Sequence, residues 1–262
     1  VATFEPTYQM HAQIARVTGA TVVEGERAAD FTLDPVEVER VLSAHRPHVV
    51  FLTSPNNPTG LVEPVERGEQ LLALAPGLVV VDEAYAQFAD WSALDLVAED
   101  RPLVVTRTFS KTWSMAGARL GYLVGPTWLV AELDKVVLPY HLDAVKQIAG
   151  RLALRYSDDM NDRVEHVVAE RERVVAALGD LPLDVFPSGA NFVLFRVRPG
   201  ELTGRSVWQG LVDRSVLIRD CSSWPRLDDC LRVTVGTPDE NTAFLDALAE
   251  VLAPVTTAGV TT

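Results

Sequence analysis

Three short, unbroken apolar runs constrain this chain most: Val49-Val50-Phe51-Leu52, Leu78-Val79-Val80-Val81 and Leu103-Val104-Val105. A strand with one wet face alternates apolar and polar residues, so continuous runs of this length fit parallel strands covered on both faces. Helical candidates such as Val65 to Leu74 lie between them, and strands spaced by helices give an α/β layered sheet. Each run ends abruptly. The first meets Thr53-Ser54-Pro55-Asn56-Asn57-Pro58-Thr59-Gly60, the second Asp82-Glu83-Ala84-Tyr85, and the third Thr106-Arg107-Thr108-Phe109-Ser110-Lys111. Ligands of open α/β sheets collect beyond the carboxyl ends of strands, so these clusters mark the expected site.

From about Ala131 to Gly179 the pattern turns helical, with Val164, Val167, Val168, Val174, Val175 and Leu178 on one face and Gly179 as a stop. Short strands are expected at Asn191 to Val197 and Leu231 to Val235. A last helix, Glu240 to Leu252, leads into a Thr/Ala/Gly tail expected to be disordered. The expectation is a larger α/β domain over residues 1–160 and a smaller α+β domain over residues 161–262.

Composition removes several function classes. A formal net charge of -13 leaves no basic stripe for phosphate backbones, so no nucleic-acid partner is expected. No apolar run approaches a membrane span, and the start does not resemble a signal peptide, so a soluble cytoplasmic protein is expected. Cys221 and Cys230 are too few for a disulfide framework and read as reduced thiols. His45 and His48 have Pro47 between them, which spoils a helical ligand pair, and no metal site is expected. The chain opens on Val1 and runs at once into Phe4-Glu5-Pro6-Thr7-Tyr8, so a fragment or processed form is expected.

The basic residues are lopsided. Of 23, only Lys111, Lys135 and Lys146 are lysines. The last two lie in helical patterns, where a solvated charge is the natural role. Lys111 follows a strand end and sits among Thr108, Ser110, Thr112 and Ser114, with Arg119 eight residues on in Ala116-Gly117-Ala118-Arg119-Leu120-Gly121. Hydroxyls and a guanidinium around one point suit a phosphate. A lysine amine attacks an aldehyde only when unprotonated, in a desolvated or cation-adjacent site. The plainer reading is a polar turn with a surface lysine.

Asp82 closes an apolar strand, where a carboxylate either meets a cation or caps the next helix. Tyr85 could present its phenol on the same side. The Ser54-to-Gly60 segment is a turn on any reading, with Asn57-Pro58 expected to be cis. Arg232, inside Leu231-Arg232-Val233-Thr234-Val235-Gly236, suggests a paired anion or a structural salt bridge.

Taken in order, these segments resemble fold-type I pyridoxal-phosphate aminotransferases, and within them the histidinol-phosphate group. Leu138-Pro139-Tyr140-His141-Leu142 and Ile218-Arg219-Asp220-Cys221 carry the narrower likeness. The resemblance implies a mostly parallel central sheet, with pyridoxal 5'-phosphate as cofactor and a homodimer. Lys111 would carry the cofactor and move the proton, Asp82 would pair with the ring nitrogen, and Asn57 and Tyr85 would bond the ring oxygen. Thr108, Ser110 and Arg119 would hold the phosphate, and Tyr8 would stack on the ring. Arg232, with Arg219 and Asn191 nearby, would bind an anionic substrate group. The implied reaction is transamination between histidinol phosphate and 2-oxoglutarate in histidine biosynthesis. An aromatic-amino-acid aminotransferase or a threonine-phosphate decarboxylase shares the cofactor residues, and a non-catalytic truncated remnant is the alternative from another class. Relatives carry a segment before the Pro-Thr-Tyr motif that completes the phosphate site, and without it full activity is not expected.

Overall fold

In a computed structural model, residues 1–253 are described, and they divide into two compact units. The first comprises Val1–Val168 with Phe186–Asn191, the second Ala169–Val185 with the chain from Phe192 onward. The boundary expected at 160/161 and the observed division at 168/169 both fall inside one uninterrupted helix. The tail expected to be disordered lies outside the described residues.

The first unit holds β1 (Ala2–Glu5), α1 (Met10–Val17), β2 (Val23–Glu26), α2 (Pro35–His45), β3 (Val49–Thr53), α3 (Val65–Leu74), β4 (Leu78–Asp82), β5 (Leu103–Thr108), β6 (Gly121–Val124), α4 (Thr127–Asp134), α5 (Ala144–Ala153) and the start of α6 (Ser157–Gly179). Its six strands are ordered β2-β1-β3-β4-β5-β6. Neighbours are parallel except β6, which runs antiparallel to β5.

The three apolar runs became β3, β4 and the first half of β5, and their continuity has a plain cause. Val50, Leu52, Val79, Val81, Leu103 and Val105 face one side, against Val38, Val41 and Leu42 of α2 and Leu71 of α3. The alternate residues Val80 and Val104, with Val49, Phe51 and Leu78, face the other side and meet Leu129 and Leu133 of α4. Both faces are dry, so no alternation survives. Local signals set the helix ends: Asp34 accepts a 2.8 Å bond from the Val36 N–H ahead of α2, and Pro35 occupies its first turn.

The helical reading of 131–179 is corrected. The chain breaks after α4, turns through Pro139 and Tyr140, whose φ is +61°, and restarts at Asp143, which caps α5. Proline cannot continue a helix and the left-handed residue after it reverses the chain, an interruption that apolar spacing does not record. Lys135 and Lys146 pair with Glu132 at 2.6 Å and Asp143 at 3.2 Å on the surface, the solvated role expected of them.

The second unit has the end of α6, β7 (Leu183–Val185), β8 (Phe192–Val197), α7 (Gly204–Val212), β9 (Arg219–Asp220), β10 (Cys230–Thr234) and α8 (Pro238–Leu252). Its sheet, β7-β8-β10-β9, is antiparallel throughout. Val174 and Leu178 of α6, Val207 and Leu211 of α7, and Phe244 and Leu248 of α8 pack on Val193, Phe195, Leu231 and Val233. A reciprocal capping box, Thr237 with Glu240, starts α8 two residues before the expected Glu240. Among the described residues, no helix is long and apolar enough to cross a membrane and no cluster of ligating side chains could hold a metal ion.

Candidate active site

The strand order of the first sheet contains a reversal. From β1 the chain passes through α1 to β2 on one side, whereas β3 leads through α3 to β4 on the other. Adjacent strands whose connections leave in opposite directions open a crevice at their carboxyl ends. Here that crevice lies between the β1 end, which continues into Pro6-Thr7-Tyr8, and the β3 end, which continues into Ser54–Gly60. The ends of β4 and β5 follow on in register, Thr53 beside Asp82 and Asp82 beside Thr106.

Asp82 uses its carboxylate twice. Oδ1 accepts from the Ala84 N–H at 3.0 Å, the turn-capping role its position allows. Oδ2 faces His11 Nε2 at 3.0 Å, and both side chains are largely enclosed, 14% and 12% exposed. His11 stacks on Phe51 with centroids 4.2 Å apart and meets the edge of Tyr8 at 5.2 Å. Tyr8 keeps 40% of its surface exposed. The sequence reading passed over His11. Its signal was its place three residues after Tyr8, across a turn in which the His11 N–H donates to Tyr8 O at 3.2 Å.

The loop between β5 and β6 is closed by Phe109 N–H donating to Leu120 O at 3.0 Å, which brings Ser110 and Arg119 to the two sides of one neck. Phe109, Trp113 and Leu120 pack with Met160 beneath it. Thr108 Oγ1 accepts from Ser110 N–H at 3.0 Å, and Arg119, at φ +52°, is exposed and donates to Ala116 O. Lys111 Nζ lies 5.0 Å from the centroid of the buried Tyr85 ring. Below, buried Glu83 accepts from Arg107, Ser92 and the Ala93 amide. Burial opposes the Arg107 charge, but bonds to Glu83 and Tyr122 outweigh it and hold the guanidinium above its ordinary pKa.

Asn57 is half-buried in a turn whose Ser54-Pro55 and Asn57-Pro58 bonds are both cis, as is Glu5-Pro6 across the crevice. Asn191 falls in the first unit with this turn, because Gly189 N–H donates to Gly60 O at 2.8 Å. Gly60 itself has φ +82°, a conformation side chains resist. Arg219 and Arg232 belong to the second unit, directly opposite each other on β9 and β10. Two like charges in register repel unless an anion or an aromatic face offsets them; Arg232 lies over Phe192 and Arg219 over Trp224. Burial pushes the Cys221 thiol up to about 11, so it is no nucleophile near neutrality.

Residues 1–248 match the family model described as aminotransferase class I and II, and the chain belongs to that family. It is 45% identical over 255 residues to a histidinol-phosphate aminotransferase of Streptomyces avermitilis, covering 94% of this chain and 66% of the relative. It is 46% identical over 256 residues to one of Frankia casuarinae, covering 95% and 63%. The chain thus spans somewhat under two thirds of the length of these relatives. Among solved structures, histidinol-phosphate aminotransferase of Sinorhizobium meliloti in complex with pyridoxal-5'-phosphate superposes with a TM-score of 0.86 at 25% identity, covering 96% of this chain and 70% of that one.

Proposed function

We propose that this chain is the body of a pyridoxal 5'-phosphate-dependent histidinol-phosphate aminotransferase, exchanging an amino group between histidinol phosphate and 2-oxoglutarate in histidine biosynthesis. One observation carries the reading: a lysine amine over a tyrosine ring just beyond the end of β5, and a carboxylate facing a histidine at the end of the neighbouring β4. The names of the 45–46% identical relatives supply the substrate. The residues fit the cofactor's chemistry. Asp82 has an enclosed carboxylate whose oxygens, one bonded to the Ala84 N–H and one facing His11, keep lone pairs for a protonated ring nitrogen, and Tyr8 is 40% exposed.

When bound, pyridoxal 5'-phosphate supplies an aldehyde for the amino group and a ring that accepts an electron pair. The chain does the rest. Lys111 Nζ holds and moves the proton at the reacting carbon, from an exposed side chain that lies over the Tyr85 ring. His11, wedged between Phe51 and Tyr8, fixes the rotamer of Asp82 so that its charge meets the ring nitrogen without reorganising. Asn57 and Tyr85 donate to the ring oxygen. Thr108, Ser110 and Arg119, gathered at one loop neck, take the phosphate. Arg232, Arg219 and Asn191 receive the substrate's anionic group. The working form is a cytoplasmic homodimer, and the apolar residues exposed from Leu138 to Tyr156 on the first unit suit a partner subunit.

Adding the cofactor should give a visible absorption band that Lys111→Ala abolishes; an unchanged spectrum in the variant would reject Lys111. Half-reactions with histidinol phosphate, phenylalanine and threonine phosphate then test the substrate. Silence with histidinol phosphate alone would overturn that part.

A further inference from the structure

The two adjacent asparagines of the 54–60 turn are indistinguishable in sequence but not in structure. Asn57 is half-buried, whereas Asn56 is fully buried and its side chain spans the crevice between β1 and β3. Asn56 Nδ2 donates to Pro6 O at 3.0 Å and to Thr59 Oγ1 at 2.9 Å, and Asn56 Oδ1 accepts from Thr7 Oγ1 at 2.7 Å. Its orientation is forced. A carbonyl only accepts, so the amide nitrogen must face Pro6 O, which leaves the oxygen for the Thr7 hydroxyl. Its backbone is engaged as well: the Asn56 N–H donates to Leu61 O, and Asn56 O accepts from the Gly60 N–H, both at 2.7 Å.

Thr53, at the end of β3, also reaches across the crevice, its Oγ1 3.3 Å from Thr7 Oγ1. Ser54 is also buried, but its hydroxyl accepts from the Glu63 N–H and stays on its own side of the crevice. Asn56 therefore ties residues about fifty positions apart, the turn that ends on Tyr8 and the turn that holds Asn57.

We propose that Asn56 is a positioning residue: it sets the spacing between the ring-stacking Tyr8 and the ring-oxygen donor Asn57, and so fixes the electronic state of the cofactor between them. The proposal rests on the function given above and adds a role for a residue that touches neither cofactor nor substrate. A donor aimed at the ring oxygen favours the unprotonated form and lowers the pH midpoint of the bound cofactor's visible band. If Asn57 drifts, that midpoint rises. A misplacement of about an ångström is enough to weaken such contacts severely.

The test compares three variants of the holoenzyme with wild type. Asn56→Asp keeps the shape and the acceptor but loses both donors. Thr7→Val removes the hydroxyl from the opposite side of the crevice and serves if Asn56→Asp folds poorly. Ser54→Ala is the control, a buried bond lost from the same turn without crossing. Asn56→Asp and Thr7→Val should raise the midpoint and bind pyridoxal 5'-phosphate roughly tenfold more weakly, while Ser54→Ala should lower stability alone. Equal destabilisation with no midpoint change in any variant overturns the proposal.

If wild type takes up no cofactor, the function above fails, and hydrogen exchange on the cofactor-free protein decides this point separately. In Asn56→Asp the Thr7 and His11 amides, bonded to Glu5 Oε2 and Tyr8 O, should lose protection together with Gly60. Protection kept at Thr7 and His11 would overturn the coupling.

Discussion

A buried ion pair lies beneath the crevice. Arg27 and Glu63 have side chains 1% and 3% exposed and are bonded to each other. Arg27 also donates to Phe4 O at 3.2 Å and Phe31 O at 3.0 Å, while the Glu63 amide reaches Ser54. In Glu63→Gln the carboxylate charge goes but an amide oxygen can remain on the guanidinium. Leaving a buried charge uncompensated costs about 3–5 kcal/mol, and the retained bond puts this variant near about 3. At about 2–4 °C per kcal/mol for a unit of this size, the thermal midpoint should fall by roughly 6–12 °C. The shift should persist at high salt, since buried pairs are poorly screened. Arg27→Met combined with Glu63→Leu removes both charges and should return to within about 2 kcal/mol of wild type. Thermal and urea unfolding followed by circular dichroism measure all three proteins. A Glu63→Gln loss under about 1 kcal/mol, or a double variant worse than the single, would refute the argument that the pair matters as a pair.

Two further outcomes follow from shifted ionisations. Burial raises the Glu5 carboxyl above its ordinary range, with Glu24 adding to it and the Thr7 amide opposing. Its contribution is therefore fully present below the unfolded carboxylate range and is lost as pH rises through the raised folded value; Glu5→Gln should lose less stability than wild type between pH 4 and 8, and a steeper loss in the variant would contradict the assignment. With the Cys221 thiol near 11, about one molecule in a thousand carries a thiolate at pH 8, so iodoacetamide should label native protein only after unfolding, and rapid native labelling would count against the buried position.

What the chain announces and what it conceals divide along physical lines. The core strands were legible because both faces are buried, which writes an unbroken apolar run. The strands of two to four residues were not. β2 reads Val-Glu-Gly-Glu and β9 only Arg-Asp, too short and too polar to carry a period. The positions of Asp82, Tyr85 and Lys111 at or just beyond strand ends were legible because each follows an unbroken apolar run. His11 was not, since its importance lies in meeting a carboxylate 71 positions away. The Asn56–Asn57 pair shows the same limit, because one amide faces inward and the next does not, a distinction made by the turn.

The ends of the larger sheet are treated unequally. β2, at one edge, carries Glu24 and Glu26, charges that discourage any extended chain from adding on. β6, at the other, reads Gly-Tyr-Leu-Val, is exposed along its whole length and has no charge or proline of its own. Such an edge is adhesive, because its unpaired backbone N–H and C=O groups can take up another strand, and the net charge of -13 is what opposes it. Preparations of this polypeptide should self-associate in a concentration-dependent manner through that border, and a single lysine at Leu123 is the change best suited to keep them dispersed.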